Sequence, residues 1–390
     1  MRIKILFYCK DFYPMHNGYA NAYKYLLDSL SKARNYDLTV FTTTDLLDCQ
    51  EINIDDVVII RENALSKIKY IRYVLNAKKI AQKLNFICKQ KKIDLLFIES
   101  GDEPLIIRFL DKKILPKTIV RYHSTSDTEY TEFFPGINNK INKFIQKTII
   151  PSYLVNYCST NDYHINFLKK SFLKDNEYLI SNKNFFKIPN TLNIDIKTSS
   201  DVFKKKKKIF ILGRMNKEGF LQKGFKDILY ALSGLKKSDL NGYSFLIVGD
   251  GIFYEKIEKM FLNSAISESV SIVRQMLHCE VLSYLSESRA VILASRFEGH
   301  SMFALEAIAS GCIGLFSKAG ALPLMVPNDR FLFNTQDSFD LLQKIKIFLN
   351  LDDDEIEKCC IEHSKWFENN FSQSKVLEYF DHAVSCINEK

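Results

Sequence analysis

Two glutamates mark the segment with the most chemical content. Ser295-Arg296-Phe297-Glu298-Gly299 follows the apolar run Val291-Ile292-Leu293-Ala294, and His300 to Ala307 then opens a helix that carries Glu306. A buried strand ending in such a loop sets Glu298 at the strand's carboxyl end and Glu306 on the first turns of the helix. The first N–H groups of that helix, near Ser301, Met302 and Phe303, lack intrahelical acceptors and suit a phosphate. Two glutamates eight positions apart mean little alone, and Glu306 by itself reads as a solvated helix carboxylate. The spacing gains weight from the strand, the small residues and the closing Ser310-Gly311 around it.

A second group is cationic. Ile211-Leu212-Gly213-Arg214 reads as a strand end, and Lys223-Gly224-Phe225 as a helix start. Two cations and the positive end of a helix dipole converging on one point would clamp a diphosphate. Phe245 to Val248 reads as a buried strand that ends in the turn Gly249-Asp250-Gly251. Neither this turn nor Pro14-Met15-His16-Asn17-Gly18 is a GxGxxG fingerprint, and no Walker A motif occurs, which argues against hydride and phosphoryl transfer. No His/Cys/Asp cluster has metal-ligand spacing, and the cation pair makes a metal unnecessary for neutralising a leaving group, so no metal is expected. Arg121-Tyr122-His123 ends a strand of the first half. His123 reads equally as a ligand-facing group and as a satisfied loop histidine. His16 and His278 are secondary candidates, and His164, His363 and His382 have no motif around them.

These residues must be positioned by strands and helices that alternate along the chain. Ile3–Cys9, Asp37–Thr43, Val57–Arg61, Asp94–Glu99, Thr118–His123 and Tyr153–Ser159 read as strands, with helices near Tyr19–Lys32, Leu65–Lys92 and Asn138–Ile150. The second half repeats the pattern: strands at Ile209–Gly213, Ser244–Gly249, Val270–Val273, Ala290–Ala294 and Gly314–Phe316. Its helices fall near Phe225–Lys236, Phe253–Asn263, Glu280–Glu287, Phe303–Ser310 and Ser338–Leu349. Consecutive apolar residues mark strands buried on both faces, and such alternation implies parallel sheets with helices on both sides. The expected class is α/β, with two facing Rossmann-like doubly wound domains and a cleft at the carboxyl ends of both sheets. The boundaries follow composition: an N-terminal domain over 1–195, a solvated lysine-rich linker over 196–208, and a second domain over 209–365. A C-terminal helix over 366–390 is the segment able to cross back to the N-terminal domain.

Composition sets the limits. The 390 residues are 46% hydrophobic and 26% charged, which fits a globular chain of two domains and excludes intrinsic disorder. Nine cysteines without a CxxC spacing indicate reduced thiols. The absence of a long apolar run and of a signal peptide points to the cytosol, or to the inner face of the cytoplasmic membrane. Residues 1–200 hold 30 Lys and Arg against 21 Asp and Glu, a balance of +9, and the remainder balances at −1. The first half therefore faces something anionic: an anionic membrane surface or a phosphorylated substrate fits, and no nucleic-acid motif accompanies the charge. The basic helix Leu65–Lys92 reads as an ordinary surface helix, with membrane docking as the sharper alternative.

The glutamate segment, the Arg214/Lys223 pair and the glycine turns together resemble a GT-B-fold glycosyltransferase, most closely glycosyltransferase family 4, the retaining glycosyl transferases group 1. The resemblance is specific over roughly 209–326 and looser at Asp11-Phe12-Tyr13-Pro14 to Gly18 and at Ile188-Pro189-Asn190. It implies a nucleotide-sugar donor, a UDP-sugar above all, and a glycan or lipid-linked acceptor hydroxyl, with surface polysaccharide or glycolipid synthesis as the setting. It also implies that Glu298 contacts the transferred sugar and Glu306 the ribose, while Arg214 and Lys223 neutralise the diphosphate. Gly18 and Gly249 allow close backbone approach, Ser301, Met302 and Phe303 offer the helix start, and His123 faces sugar and acceptor. Three positions depart from the family: Asn17-Gly18 replaces a glycine pair, Arg274 stands where glycine is common, and Leu324 replaces an acid. Two other readings stay open: a GT-B enzyme of other chemistry, such as an inverting transferase or a sugar epimerase, and a non-catalytic subunit that holds nucleotide or partner.

Overall fold

The computed structural model describes residues 2–10, 12, 18–43, 54–62, 72–100, 105–123, 137–193 and 205–389. The chain divides into two compact units, one of Met1–Asn193 with Phe371–Lys390, the other of Ile194–Asn370.

The first unit is built on a seven-stranded sheet of order β3-β2-β1-β4-β5-β6-β7, with every strand pair parallel. Its strands are β1 (Ile3–Cys9), β2 (Tyr36–Thr42), β3 (Val57–Arg61), β4 (Leu95–Ser100), β5 (Thr118–Tyr122), β6 (Asn156–Ser159) and β7 (Asn184–Lys187). Successive side chains of a strand point to opposite faces, so each central strand supplies two cores. Leu6, Tyr8, Leu96, Ile98 and Val120 pack on one side with Ala77, Ile80, Ala81, Leu84 and Ile87 of the helix Arg72–Lys91. Ile5, Phe7, Phe97 and Ile119 pack on the other with Tyr23, Leu26 and Leu30 of the helix Gly18–Ala33. The helix Gln373–Asn388 completes this second face through Val376, Phe380, Ala383 and Val384, and the Phe380 ring lies 6.2 Å from Phe7 and 5.9 Å from Phe97.

The second unit holds a six-stranded parallel sheet of order β10-β9-β8-β11-β12-β13. Its strands are β8 (Lys206–Leu212), β9 (Ser244–Val248), β10 (Val270–Val273), β11 (Ser288–Leu293), β12 (Ile313–Ser317) and β13 (Leu332–Phe333). Both β11 and β12 are buried along their whole length, as expected for strands covered on both faces.

Several expectations need correction. The lysine run is not solvated linker to its end: β8 begins at Lys206, and Lys205 is buried. The Lys205 ammonium donates to the Ser288 carbonyl at 2.8 Å and the Leu285 carbonyl at 3.1 Å, so its charge is satisfied by a helix end and a strand start. The helix expected over Asn138–Ile150 stops at Phe144 and continues as a π-turn over Ile145–Ile149. Of the helix expected from Leu65, residues 65–71 lie outside the described residues. The strands β7 and β13 and the helix Asp353–Phe371 were not anticipated. The eight described cysteines are free, and burial pushes the Cys88, Cys158 and Cys360 thiols up to about 12. Among the described residues, no helix is long and apolar enough to cross a membrane.

Two histidines without sequence motifs prove structural. Burial pushes His363 down to about 4 and His164 down to about 3. The His363 ring meets the Cys359 carbonyl through Nδ1 at 2.7 Å. Both rings therefore stay neutral in the fold while the unfolded chain protonates near pH 6.5. Stability is fully present above that value and is lost as pH falls towards the folded values, by about 3 kcal/mol for His363. Urea unfolding of His363→Gln between pH 4.5 and 7 should show a shallower loss than the parent chain. Parallel curves would rule out this source of acid sensitivity.

Candidate active site

The order of the six-stranded sheet reverses between β8 and β11. Connections leave these two strands in opposite directions, and open α/β sheets bind ligands in the crevice at that point. Residues after β8 and β11 supply the cationic and acidic groups singled out in the sequence.

The chain after β8 runs through Gly213-Arg214 into a short helix, Lys217–Gln222, capped by the Asn216 side chain on the Gly219 N–H. Lys223 and Gly224 then turn the chain into the helix Phe225–Ser233. Gly224 has φ +63°, and a Cβ there would stand 2.0 Å from the Ala294 carbonyl oxygen. Only glycine lets this turn lie against the end of β11. The Arg296 N–H fastens the contact by donating to the Gln222 carbonyl at 2.8 Å.

That contact brings Lys223 to Glu298. The ammonium donates to Glu298 Oε1 at 2.5 Å, and the Ser295 hydroxyl donates to the same oxygen at 2.8 Å. The Glu298 side chain is 9% exposed and Lys223 21%, so the pair sits at the edge of solvent, within reach of a ligand. Arg214 Nη2 donates to Gln222 Oε1 at 3.0 Å, which holds the guanidinium over the same turn. The two cations of the expected clamp are thus steadied by Glu298 and Gln222 respectively.

Beyond Glu298, the helix Met302–Ala309 starts at Ser301, whose hydroxyl accepts from the Ala304 N–H at 3.3 Å. The N–H groups of Met302 and Phe303 precede the first intrahelical bonds. The Phe303 ring packs edge-on to Phe210 of β8 at 5.6 Å. Glu306 is 4% exposed, not a solvated helix carboxylate. Its Oε1 lies 2.8 Å from Nε2 of His278, the first residue of the helix His278–Glu287. A secondary candidate of the sequence thereby joins the site.

Gly249 follows β9, and a Cβ there would stand 2.0 Å from the Gly213 carbonyl oxygen, so this glycine serves the packing of two strand ends. The next residue, Asp250, accepts from Arg274 Nη1 and from Gln275 Nε2, each at 3.1 Å. The Gly251 N–H, then Arg274 and Gln275, hold its carboxyl below the usual range. Arg274 stacks over Tyr254 at 4.0 Å, so the residue that departs from a family glycine is built into a polar rim. Leu324 is exposed on the short turn Leu322–Met325, and its carbonyl accepts from Trp366 Nε1.

Eight of the ten sequence candidates belong to this second unit. His123 and Gly18 belong to the first, where the sheet order reverses between β1 and β4. Gly18 opens the helix after β1. Asp11, Pro14, His16 and Asn17 lie outside the described residues. His123 follows β5, is buried, and pairs through Nε2 with Glu99 on β4. Sequence reasoning missed Glu99, Ser295 as a Glu298 partner, and Gln222. Only Glu99 left a signal, as a carboxylate at a strand's carboxyl end. Among the described residues, no group of His, Cys, Asp and Glu is arranged to hold a metal ion.

The turn at Gly224 should be intolerant of side chains. Gly224→Ala is expected to lose about 1–3 kcal/mol from the left-handed backbone alone, with the clash on Ala294 adding to it. Chemical denaturation measures the loss, and wild-type stability in the variant would refute the close-approach argument.

Comparison with known proteins bears on the same segment. Residues 193–366 match the family described as glycosyl transferases group 1. An uncharacterized glycosyltransferase of Methanocaldococcus jannaschii is 29% identical over 158 residues, which is 40% of this chain and 42% of that protein. The chain thus spans less than half of that relative. A sucrose-phosphate synthase from Thermosynechococcus elongatus superposes with a TM-score of 0.75 at 17% identity, covering 100% of both chains. Anabaena HepE, solved in complex with UDP and glucose, superposes with a TM-score of 0.69 at 14% identity over 99% of this chain and 100% of that one. The chain has the GT-B fold, and its segment 193–366 matches the glycosyl transferases group 1.

Proposed function

We propose that this chain is a retaining, metal-independent glycosyltransferase that moves a sugar from a nucleoside diphosphate to a hydroxyl of a glycan or lipid-linked acceptor. The observation that carries the reading is the convergence of Arg214, Lys223 and Glu298 at the β8/β11 reversal. UDP is the preferred nucleotide, by analogy with the UDP held by Anabaena HepE.

In this reading a diphosphate takes the ammonium of Lys223 and the guanidinium of Arg214. Charge develops on the diphosphate as the bond to the sugar breaks, and preorganised cations lower the energy of that state. The N–H groups at Met302 and Phe303 add the positive end of a helix. Lys223 and Ser295 both meet the Glu298 carboxylate at Oε1, and Oε2 is the oxygen to accept from a sugar hydroxyl. Glu306, oriented by His278, accepts from the ribose hydroxyls. His123 is read, as the resemblance implies, as a contact to the sugar or the acceptor. The new bond forms from the acceptor oxygen to the anomeric carbon, and retention follows the family.

Arg214→Ala and Lys223→Ala should each weaken UDP binding by roughly 1.5–3 kcal/mol, the size of a charge-assisted contact. Glu306→Gln should weaken uridine nucleotides and leave pyrophosphate almost unaffected. Calorimetric titration separates these cases. Unchanged UDP affinity in both cation variants would remove the diphosphate clamp, and equal weakening of both ligands would make Glu306 structural.

The first unit is also proposed to dock on an anionic membrane surface at the cytoplasmic face. The helices Arg72–Lys91 and Ile137–Phe144 cover the same face of the seven-stranded sheet, through Leu84 and Ile87 of the first and Ile145 just beyond the second. Their outer surfaces expose Lys78, Lys79, Lys89 and Lys140 beside Phe86 and Phe144, which are 58% and 62% exposed. Cations beside exposed rings suit anionic headgroups over an apolar boundary, at about 1 kcal/mol per nearby cation. Lys83 pairs with Glu62, so the informative triple replacement is Lys78, Lys79 and Lys89 by Gln. It should reduce co-sedimentation with anionic liposomes at low salt and leave UDP affinity unchanged. Equal partitioning of the parent chain to neutral and anionic liposomes would favour a soluble acceptor.

A further inference from the structure

The first unit encloses an ionic set that donor binding does not use. Arg121, on β5, is fully buried. Its Nη2 donates to the Ile188 carbonyl at 2.9 Å and to Asn190 Oδ1 at 2.8 Å, whereas Nε and Nη1 have no hydrogen-bond partner among the described residues. A guanidinium is permanently charged, and enclosing it without a counter-charge costs several kcal/mol. The counter-charge stands on the next strand: Glu99 lies opposite Arg121 in the β4–β5 register, with its side chain 10% exposed.

Arg121 and His123 are two positions apart along an extended chain and so lie on one face of the sheet. His123 Nε2 pairs with Glu99, and its ring meets Tyr19 edge-on at 5.3 Å and Tyr23 at 6.0 Å. The other titratable groups of this set are Cys9 on β1 and Cys158 on β6, whose interactions with Glu99 or Arg121 place them in the same field. Burial holds the Cys9 and Cys158 thiols and the Tyr23 phenol protonated, so none of these three supplies a counter-charge to Arg121.

We propose that Glu99 is a positioning residue for His123, with buried Arg121 as its counter-charge. His123 Nε2 is the ring nitrogen set against the Glu99 carboxylate, so the Nε2–H tautomer is the one that Glu99 would favour, with Nδ1 as the acceptor nitrogen. Its use in transfer rests on the reading of His123 as a contact to sugar or acceptor; the positioning itself does not.

Long-range proton–nitrogen NMR of the full chain reads the tautomer and titration of His123, assigned by loss of its signals in His123→Gln. The parent chain should show the Nε2–H tautomer. Glu99→Gln keeps the shape and removes the charge; it should mix the tautomers and lower the His123 midpoint by about one pH unit or more. Glu99→Asp should recover part of that shift. An unchanged tautomer and midpoint in Glu99→Gln would overturn the proposal. The second readout is UDP release from UDP-glucose in the absence of acceptor. Glu99→Gln should lower kcat roughly 10-fold or more, the usual cost of losing an orienting partner, with the donor KM moved by less than about 2-fold. Combining it with His123→Gln should add no further loss, since both changes remove one unit of function. Multiplied losses in the double variant would give Glu99 an independent role and overturn the positioning. If the parent chain releases no UDP from UDP-glucose, the donor reading fails while the NMR readout still decides the positioning.

Discussion

The site depends on one close approach of backbone to backbone. Gly224 lets the turn after β8 lie on the Ala294 carbonyl at the end of β11, and the contacts of Lys223 and Gln222 follow from it. Lys223 precedes that glycine and so reaches Glu298; Gln222 precedes Lys223 and so reaches both Arg214 and the Arg296 N–H. The charges are positioned by strand ends that cannot slide without losing parallel register, which is a stiffer support than any loop. A chain that spends no side chain at one position can place four polar ones within a single turn.

The two units carry their electrostatics differently. In the second, the opposite charges of Lys223 and Glu298 meet at the edge of solvent. In the first, Arg121, Glu99 and His123 are enclosed, and their partnerships are fixed when the sheet forms. Part of the positive charge of the first half lies apart from them, at Lys78, Lys79, Lys89 and Lys140 on the outer surface of two helices. Arg121 adds to the count of cations but not to that surface.

Much of this was legible in the sequence because parallel strands buried on both faces are continuous apolar runs. Ile3–Cys9, Val57–Arg61 and Val270–Val273 were read to the residue, and the helices after them followed from polar and apolar periodicity. Strand β7, Asn-Phe-Phe-Lys, was missed because half of its residues are polar, and β13 because two residues make no pattern. The lysine run was misjudged for a related reason. Composition cannot tell a solvated ammonium from one that meets the carbonyls of residues 80 and 83 positions away, as Lys205 does. The Glu298 and Glu306 positions could be found from local context, but their partners could not. His278 and Lys223 become partners only through strand order, Ser295 pairs with Glu298 inside one loop, and the pairing of Glu99 with His123 needs β4 and β5 to be neighbours.

The C-terminal helix has a consequence for how the chain is made. Phe380 and Val384 fill the face of the first sheet beside Phe7 and Phe97, and the Thr191 hydroxyl donates to the Phe371 carbonyl where the chain returns. On the ribosome, the first sheet emerges before the second unit, but one of its apolar faces stays only partly covered until the helix Gln373–Asn388 is synthesised. The second unit, whose residues are contiguous, can complete its core before then. Order of synthesis and order of maturation are therefore reversed, and the nascent first unit is the species that must be shielded from aggregation during translation.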